Sequence, residues 1–282
     1  MSRPLAGRRI VVTRPGDDPR LRVLLEADGA EVLECPAIRI VEPADYGPLD
    51  AALRGLNFYA WVVFTSRNGV AAVFRRLAAL RIPTAALGER RLAVIGSGTE
   101  EALREGGLRA DVSPAEFRAE ALVAALARCD LRGQRVLIPR AAVARAVLPE
   151  GLCALGARVD VVPAYRTEAA GPARSFGRMI RTARRIDAVT FTSPSTVRHF
   201  LRLAGPDARH IVERALVACI GPVTAAAARE SGIRVDAVAV TYTLAGLVSA
   251  LRGALGPAPA GRPETAADPA HARHREVGHG IS

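Results

Sequence analysis

An internal repeat is the feature of this 282-residue sequence that most constrains its fold. Three short segments of the first half recur, in the same order, in the second half. The pairs are 7–14 with 133–140, 61–66 with 188–193, and 92–96 with 217–221. The offset between matched residues stays between 125 and 127, which chance similarity does not produce. We therefore expect two copies of one structural unit.

Each copy alternates short apolar runs with amphipathic segments. The apolar runs end in Thr, Ser, Gly or Pro, and they are typical of strands buried on both faces of a parallel sheet. We predict strands at 10–13, 62–64 and 92–95. Helical periodicity follows, and we predict helices at 20–28, 69–80, 100–105 and 119–128. This alternation predicts α/β lobes with doubly wound parallel sheets and right-handed crossovers.

Two extended segments, 35–43 and 161–168, interrupt the alternation at equivalent places of the two copies. We interpret them as two crossings between the lobes that lie side by side as a ribbon. Domain 1 is then discontinuous, and two sequential domains divided near residue 130 are the alternative. The boundaries of the favoured interpretation are 1–38 with 169–256 for domain 1, 42–162 for domain 2, and 257–282 for a tail predicted to be disordered.

The charge pattern excludes several classes of enzyme. The net charge is +11, and arginine alone carries the positive charge because the sequence contains no lysine. A Schiff-base amine and a Walker A motif are therefore absent from the sequence. No histidine precedes His199 and no Gly-x-Ser-x-Gly motif occurs, so a Ser–His triad is unsupported. The surplus of guanidinium groups favours an anionic partner.

The remaining composition indicates a cytoplasmic protein without a metal-binding motif. The four cysteines are too widely spaced for a disulfide framework or a zinc motif. The pair His271 and His274 lacks a third ordered ligand. Aromatic residues make up 4% of the chain and no nucleic-acid-binding motif occurs, so we expect no nucleic-acid partner. We find neither a signal peptide nor an apolar run long enough to span a membrane, and we expect a monomer.

Polar turns recur where predicted strands run into helices. Helix capping alone accounts for such residues, because Ser, Thr and Asn are preferred at the first position of a helix. These turns nevertheless share the C-terminal edge of a sheet, where α/β folds bind ligands, and free N–H groups at helix starts attract anions. Two lobes with several such turns predict a site for a polycarboxylate or a polyphosphate. The residues concerned are Ser66, Asn68, Ser97, Thr99, Ser193 and Thr224.

Three further residues are candidates for the same site. Arg14 and Arg140 close the first strand of each copy at the same predicted edge, where a salt bridge or a solvated charge is the simpler interpretation. Tyr165 lies in the second crossing segment. Its ring could pack in the ribbon with the hydroxyl in water, or the hydroxyl could point into the cleft as a hydrogen-bond donor or weak acid.

The sequence resembles the uroporphyrinogen-III synthase family from about Gly7 to Leu255. Six short motifs in their order and spacing carry the resemblance, although each is short. They are VTRP at 12–15, FTSRNGV at 64–70, VIGSGT at 94–99, PAYRT at 163–167, FTSPS at 191–195 and IGPVT at 220–224. The resemblance implies two flavodoxin-like lobes joined by a two-stranded linker ribbon.

The resemblance also implies a function. Enzymes of this family close the linear tetrapyrrole hydroxymethylbilane, which bears eight carboxylates, with loss of water and inversion of the terminal ring through a spiro intermediate. They use no cofactor, and the substrate is handed over from hydroxymethylbilane synthase. Tyr165 matches a cleft tyrosine thought to donate a proton as water leaves. In this family, hydroxyls and backbone amides at several positions meet the carboxylates of the substrate. Thr99, Thr224, Ser66 and Ser193 match those positions, and Arg14 and Arg140 match them less clearly.

A non-catalytic sensor is the alternative function. A two-lobed protein that binds an acidic tetrapyrrole or another polyanionic metabolite would use the same turns and the same basic charge. It would bind its ligand and close without changing the isomer that forms, so a product assay beside a binding measurement separates the two functions.

Overall fold

The structure, a computed structural model, describes residues 3–15, 18–171 and 185–256. The predicted tail at 257–282, with His271 and His274, lies outside the described residues. The strands are β1 (Arg9–Val12), β2 (Glu31–Glu34), β3 (Ile38–Val41), β4 (Trp61–Phe64), β5 (Arg91–Val94), β6 (Arg135–Ala141), β7 (Arg158–Ala169), β8 (Ala188–Phe191), β9 (Leu216–Cys219) and β10 (Ala237–Val238).

The helices that connect these strands are short. They are α1 (Arg20–Ala27), α2 (Gly47–Arg54), α3 (Arg67–Leu80), α4 (Ala85–Gly88), α5 (Ser97–Glu105), α6 (Ala119–Leu126), α7 (Val147–Ala154), α8 (Pro194–Ala204), α9 (Pro206–Arg214), α10 (Pro222–Glu230) and α11 (Leu244–Leu255), with a 3-10 turn at Leu56–Phe58. Within the described ranges, none of the helices has the length and apolarity that crossing a membrane requires.

The strands form two sheets of five strands each. The first has the order β10-β9-β8-β1-β2, and the second has the order β3-β7-β6-β4-β5. All pairs are parallel except β3 with β7. The first sheet takes strands from both ends of the described chain, and the second takes strands from its middle. The prediction of two α/β lobes with parallel sheets is confirmed.

Both faces of each sheet are buried, as the unbroken apolar strands predict. In β1, Val11 packs into one core while Ile10 and Val12 pack into another on the opposite face. In β4, Phe64 packs into one core and Trp61 into the other. Successive side chains of a strand point to opposite faces, so helices must cover both sides of these sheets.

A two-stranded ribbon joins the lobes. β3 pairs with the end of β7 in antiparallel register, with Ile38 opposite Ala169 and Val41 opposite Arg166. The second crossing segment is not separate from the sheet, however. The first part of β7 pairs with β6 in parallel register as far as Tyr165 opposite Ala141. One strand therefore serves both the sheet and the ribbon, because its apolar residues continue the sheet before the crossing begins.

The C-terminal edges of the two sheets face each other. Arg20 at the start of α1, which follows β1, donates a hydrogen bond of 2.8 Å to Glu101 on α5, which follows β5. The ring of Phe117 meets the ring of Tyr242 edge-on with centroids 5.8 Å apart, and Tyr242 follows β10. These contacts join the loops and helix starts beyond the strand ends of different sheets, which is the edge where open α/β sheets bind ligands.

Candidate active site

Ser66 and Tyr165 meet at this edge. The Ser66 side chain caps α3 by accepting a hydrogen bond of 3.1 Å from the backbone N–H of Gly69. Its oxygen lies 2.9 Å from the Tyr165 hydroxyl oxygen, and either hydroxyl can donate. Tyr165 is 7% exposed and packs into a core of the second sheet. Its hydroxyl therefore faces a protein partner at the start of a helix rather than bulk water.

The surroundings of Tyr165 keep its hydroxyl protonated. Burial raises the pKa of Tyr165 above the ordinary value of 10.0, and the hydrogen bond from Ser66 opposes this shift in part. A buried phenol is harder to ionise because its anion loses solvation. The group is thus a neutral hydrogen-bond donor at neutral pH, as a general acid must be before it gives up its proton.

The loop after β5 places helix N–H groups on the same edge. α5 begins at Ser97, three residues before the predicted start, because the first turn of a helix tolerates Gly98. Gly96 precedes it with a φ of 89°, a conformation that favours glycine. Ser97 is half-buried and Gly98 is exposed, so the first turn of α5 lies at the protein surface.

The two candidate threonines are buried. Thr99 is 5% exposed and its hydroxyl donates to the backbone oxygen of Ile95 at 2.7 Å. Thr224 is 3% exposed in the first turn of α10. Because a hydroxyl has one proton to donate, the Thr99 side chain supports the turn, and the groups nearest solvent are backbone amides.

The equivalent turn of the other lobe is built differently. Ser193 caps α8 through a reciprocal capping box with Thr196, and its oxygen lies 2.8 Å from the Ser195 hydroxyl. Ser66 has a tyrosine as its partner instead. Asn68 is half-buried in the first turn of α3. The repeat thus provides matching helix starts, but only the one at Ser66 carries the phenol.

The two candidate arginines have different surroundings. Arg14 forms an ion pair with Asp18 and its side chain is 14% exposed. Arg140 is half-buried and donates a hydrogen bond of 2.7 Å to the backbone oxygen of Arg145. Burial lowers the pKa of Arg140 below its usual range. Arg14 follows β1, whereas Arg140 is the second-last residue of β6 and still pairs with Pro163 of β7.

The sequence analysis missed a group of charged residues at the same edge. Arg20 contacts Asp18 and Glu101, and Arg67 contacts Glu101 and Glu105. The one available signal was Arg67, which stands inside the FTSRNGV motif. Glu101 and Glu105 look like ordinary solvated residues of a short helix, and nothing in the sequence marks Arg20 of the other lobe as the partner of Glu101.

Two aromatic rings that the sequence analysis also missed cover the glycines before two of the helix starts. A β-carbon added to Gly96 would lie 3.8 Å from the Phe117 ring, and one added to Gly221 would lie 3.4 Å from the Tyr242 ring. Phe117 and Tyr242 contact each other, so one aromatic pair packs against the turns that open α5 and α10.

One cavity of the protein lies apart from the candidate site residues. It has a volume of about 500 Å³, is lined by Phe58, Tyr59, Arg135 and Asp160, among others, and contains none of the candidate site residues. Within 3–15, 18–171 and 185–256, no three His, Cys, Asp or Glu side chains are grouped so that they could hold a metal ion.

Two facing α/β lobes with helix starts and arginines at their common edge define a two-lobed α/β protein. Comparison with known proteins identifies its family. The family model described as uroporphyrinogen-III synthase HemD matches residues 19–249, and the chain belongs to this family. The resemblance found in the sequence is confirmed.

Individual relatives agree with the family. A putative uroporphyrinogen-III synthase of Methanothermobacter thermautotrophicus is 36% identical over 88% of this chain and 98% of its own length. The uroporphyrinogen-III synthase of Synechococcus elongatus is 34% identical over 88% and 96%. A crystal structure of a mutant uroporphyrinogen III synthase from Thermus thermophilus covers 88% of this chain and 99% of its own, with a TM-score of 0.62 and 19% identity, which supports the fold.

The family and the relatives' names together indicate uroporphyrinogen-III synthase, a cyclising lyase. The alternative of a non-catalytic sensor is not favoured, because the matching family is named for an enzyme.

Proposed function

We propose that this chain converts hydroxymethylbilane into uroporphyrinogen III between the facing edges of its two sheets. The observation that carries the proposal is the Ser66–Tyr165 pair, which puts a buried, protonated phenol beside a helix start at that edge. The substrate is a small tetrapyrrole in this family, and its carboxylates match the anion-binding character of the surrounding turns.

The proposed reaction needs a proton donor and a fixed conformation rather than a strong nucleophile. In the hydroxymethyl group of the substrate, the bond between carbon and oxygen breaks. A proton from Tyr165 lets the hydroxyl leave as water. The resulting cation attacks the substituted carbon of the terminal pyrrole and forms the spiro intermediate, which reopens and closes with that ring inverted. Ring closure releases a proton, which restores the phenol. Ser66 positions Tyr165 throughout.

The proposed role of the turns is to hold the carboxylates. The first turns of α3, α5, α8 and α10 offer backbone N–H groups, supported by the candidate residues Ser66, Asn68, Ser97, Thr99, Ser193 and Thr224. Arg14 and Arg140 supply positive charge at the same edge. One helix start contributes little, but several together can fix a flexible chain in one conformation, which is the main requirement for choosing between two ring closures.

The proposal includes the organisation of the protein. We propose that domain 1 comprises 1–38 with 169–256 and that domain 2 comprises 42–162. In support, β1, β2 and β8 to β10 lie in the first of these parts and β4 to β6 lie in the second, whereas β3 and the end of β7 form the ribbon between them. We further propose a cytoplasmic monomer that works without a cofactor and receives its substrate directly from hydroxymethylbilane synthase.

The activity is tested with hydroxymethylbilane generated enzymatically and with products separated by chromatography. We expect uroporphyrinogen III to form faster than the spontaneous type I isomer. Only the type I isomer at the spontaneous rate would exclude the proposed function. Calorimetry with uroporphyrinogen distinguishes a sensor, which would bind without changing the product.

Tyr165→Phe tests the proposed acid. We expect kcat to fall roughly 10- to 100-fold, because proton transfer by a positioned side chain contributes at least that much. Tyr59→Phe is the matched control: Tyr59 is 5% exposed and donates a hydrogen bond of 2.7 Å to Asp160 away from the proposed site. Each variant loses one buried hydrogen bond worth about 1 kcal/mol, measured by urea unfolding. Equal turnover in the two variants would remove Tyr165 from the mechanism.

A further inference from the structure

Six charged side chains form one connected set at the edge between the lobes. Three are guanidinium groups and three are carboxylates, so the set as a whole is neutral. They come from the loop after β1 and from the helices α1, α3 and α5. The members are Arg14, Asp18, Arg20, Arg67, Glu101 and Glu105.

Glu101 is the member that connects the two lobes. Its Oε2 accepts a hydrogen bond of 2.8 Å from Nη1 of Arg20, which lies on α1 beside the first sheet. The same oxygen accepts a hydrogen bond of 2.6 Å from Nη2 of Arg67, which lies on α3 beside the second sheet. One carboxylate oxygen thus holds two guanidinium groups from different lobes.

The three carboxylates differ in how firmly they are held. Asp18 accepts hydrogen bonds from both Nε and Nη2 of Arg20, a bidentate arrangement, and its side chain is 21% exposed. Glu105 contacts Arg67 alone, within one lobe. The side chain of Glu101 is 42% exposed and bridges through a single oxygen. Exposed ion pairs of this kind add little net free energy, so an incoming carboxylate can replace Glu101 at low cost.

We propose that Arg20 and Arg67 bind a carboxylate of the substrate, and that Glu101 is the protein carboxylate which this group displaces. The proposal rests on the proposed function, because hydroxymethylbilane supplies the carboxylate. Displacement breaks the link from α1 to α5 and replaces it with a link through the substrate. Arg20 and Arg67 are therefore substrate-binding residues, and Glu101 is a competitor that holds them in place.

The proposal predicts that substitutions of Arg20 and Glu101, the two partners of one ion pair, change KM in opposite directions. Arg20→Gln removes a cation that the substrate needs, and we expect KM for hydroxymethylbilane to rise about 10-fold. Glu101→Gln removes the competitor, and we expect KM to fall about 3-fold. The double variant should keep the raised KM, because no competitor matters once the cation is gone. Glu89→Gln is the matched control and should leave KM unchanged, because this exposed carboxylate pairs with Arg90 at 3.3 Å before β5, outside the charged set.

Binding of uroporphyrin I, an octacarboxylate that does not react, gives a readout independent of catalysis. Calorimetry should show the same opposite shifts in Kd for Arg20→Gln and Glu101→Gln. A structural ion pair predicts that both variants shift KM and Kd in the same direction, or not at all, and either result overturns the proposal. If the wild type makes no uroporphyrinogen III but the Kd shifts are opposite, the proposed function fails while the carboxylate site stands.

Discussion

Asp18 allows several arginines to lie close together at the edge of the lobes. Burial by itself would raise the pKa of this carboxyl, but the hydrogen bonds and charges of Arg20 and Arg14 outweigh it and lower the pKa to about 2. Asp18 in turn raises the pKa of Arg20 through its hydrogen bond. The Asp18 carboxylate of the folded protein is therefore ionised at neutral pH.

Asp18→Asn should reduce stability in a pH-dependent way. The folded pKa of about 2 lies below the ordinary value of 3.8, so the ionised carboxylate stabilises the fold above pH 3.8 and this contribution is lost as pH falls through 2. At pH 7 we expect a loss of about 1 kcal/mol, less than the full shift implies because solvent screens the site. Urea unfolding of both proteins between pH 7 and pH 2 measures the difference. A difference that does not narrow toward pH 2 would contradict this account.

The candidate residues differ in how far the sequence could predict them. The motifs and the repeat brought Ser66 and Tyr165 forward separately, but their contact joins residues 99 positions apart. Such a contact depends on how α3 packs against β7, and no local sequence pattern encodes that packing. The role of Thr99 toward a substrate carboxylate stays a prediction. The structure adds that its hydroxyl donates to the backbone oxygen of Ile95 within a buried turn. Burial of single polar side chains at an edge cannot be derived from their sequence neighbours.

At the scale of elements, the helix starts combine structural and proposed functional roles. Ser66, Ser193 and Thr243 each accept a backbone N–H of the helix that they precede. Capping satisfies donors that the helix itself leaves unpaired. Ser66 also lies within hydrogen-bond distance of a tyrosine hydroxyl, that of Tyr165, so capping and the proposed chemistry can be separated experimentally.

Ser66→Ala and Thr243→Ala should destabilise the protein alike but differ in activity. Each removes an N-cap, and we expect each to lower the free energy of unfolding by about 1 kcal/mol. Ser66→Ala also frees the Tyr165 hydroxyl, so we expect turnover to fall roughly 10-fold in this variant alone. Thermal melts and steady-state kinetics on the same preparations provide the comparison. Equal activity would mean that Ser66 serves only as a cap.

Existence and type of the elements followed from the pattern, whereas their ends did not. The strands β1 and β4 are confirmed close to their predicted bounds, because unbroken apolar runs indicate strands buried on both faces. The helix α5 begins at Ser97, three residues before its predicted start. The pattern places the start too late because Ser97, Gly98 and Thr99 contribute no apolar periodicity. The first half of the predicted crossing segment 161–168 belongs to the sheet, since an extended apolar segment looks the same in a sheet and in a ribbon.

At the scale of the whole molecule, the repeat predicted two lobes but not the contacts that hold their edges together. The Arg20–Glu101 pair joins segments that the repeat does not match. The Phe117–Tyr242 pair joins equivalent positions of the two copies, 125 residues apart, but the repeat does not show that these positions touch. The relative placement of two folded units depends on a few surface side chains. The apolar periodicity of the sequence indicates which residues are buried inside each lobe. It carries little information about the side chains on the surface between the lobes.

Phe117→Leu should let the lobes separate more readily. The edge-on ring contact with Tyr242 is worth about 1 kcal/mol, so its loss favours the separated arrangement roughly fivefold. Small-angle scattering should record a larger radius of gyration for this variant. Phe58→Leu is the control, because Phe58 is 64% exposed and lines the cavity away from the site. Identical scattering curves for all three proteins would show that the rings do not restrain the lobes.

The strand β7 has a mechanical consequence. It changes its pairing partner from β6 to β3 between Tyr165 and Arg166, at the point where the chain leaves one lobe for the other. Any rotation of the lobes therefore twists the backbone within a residue of the phenol. If Tyr165 is the proton donor as we propose, one long ligand that engages both lobes also aligns this donor, and we expect a shorter polyanion that binds one lobe to leave it out of line.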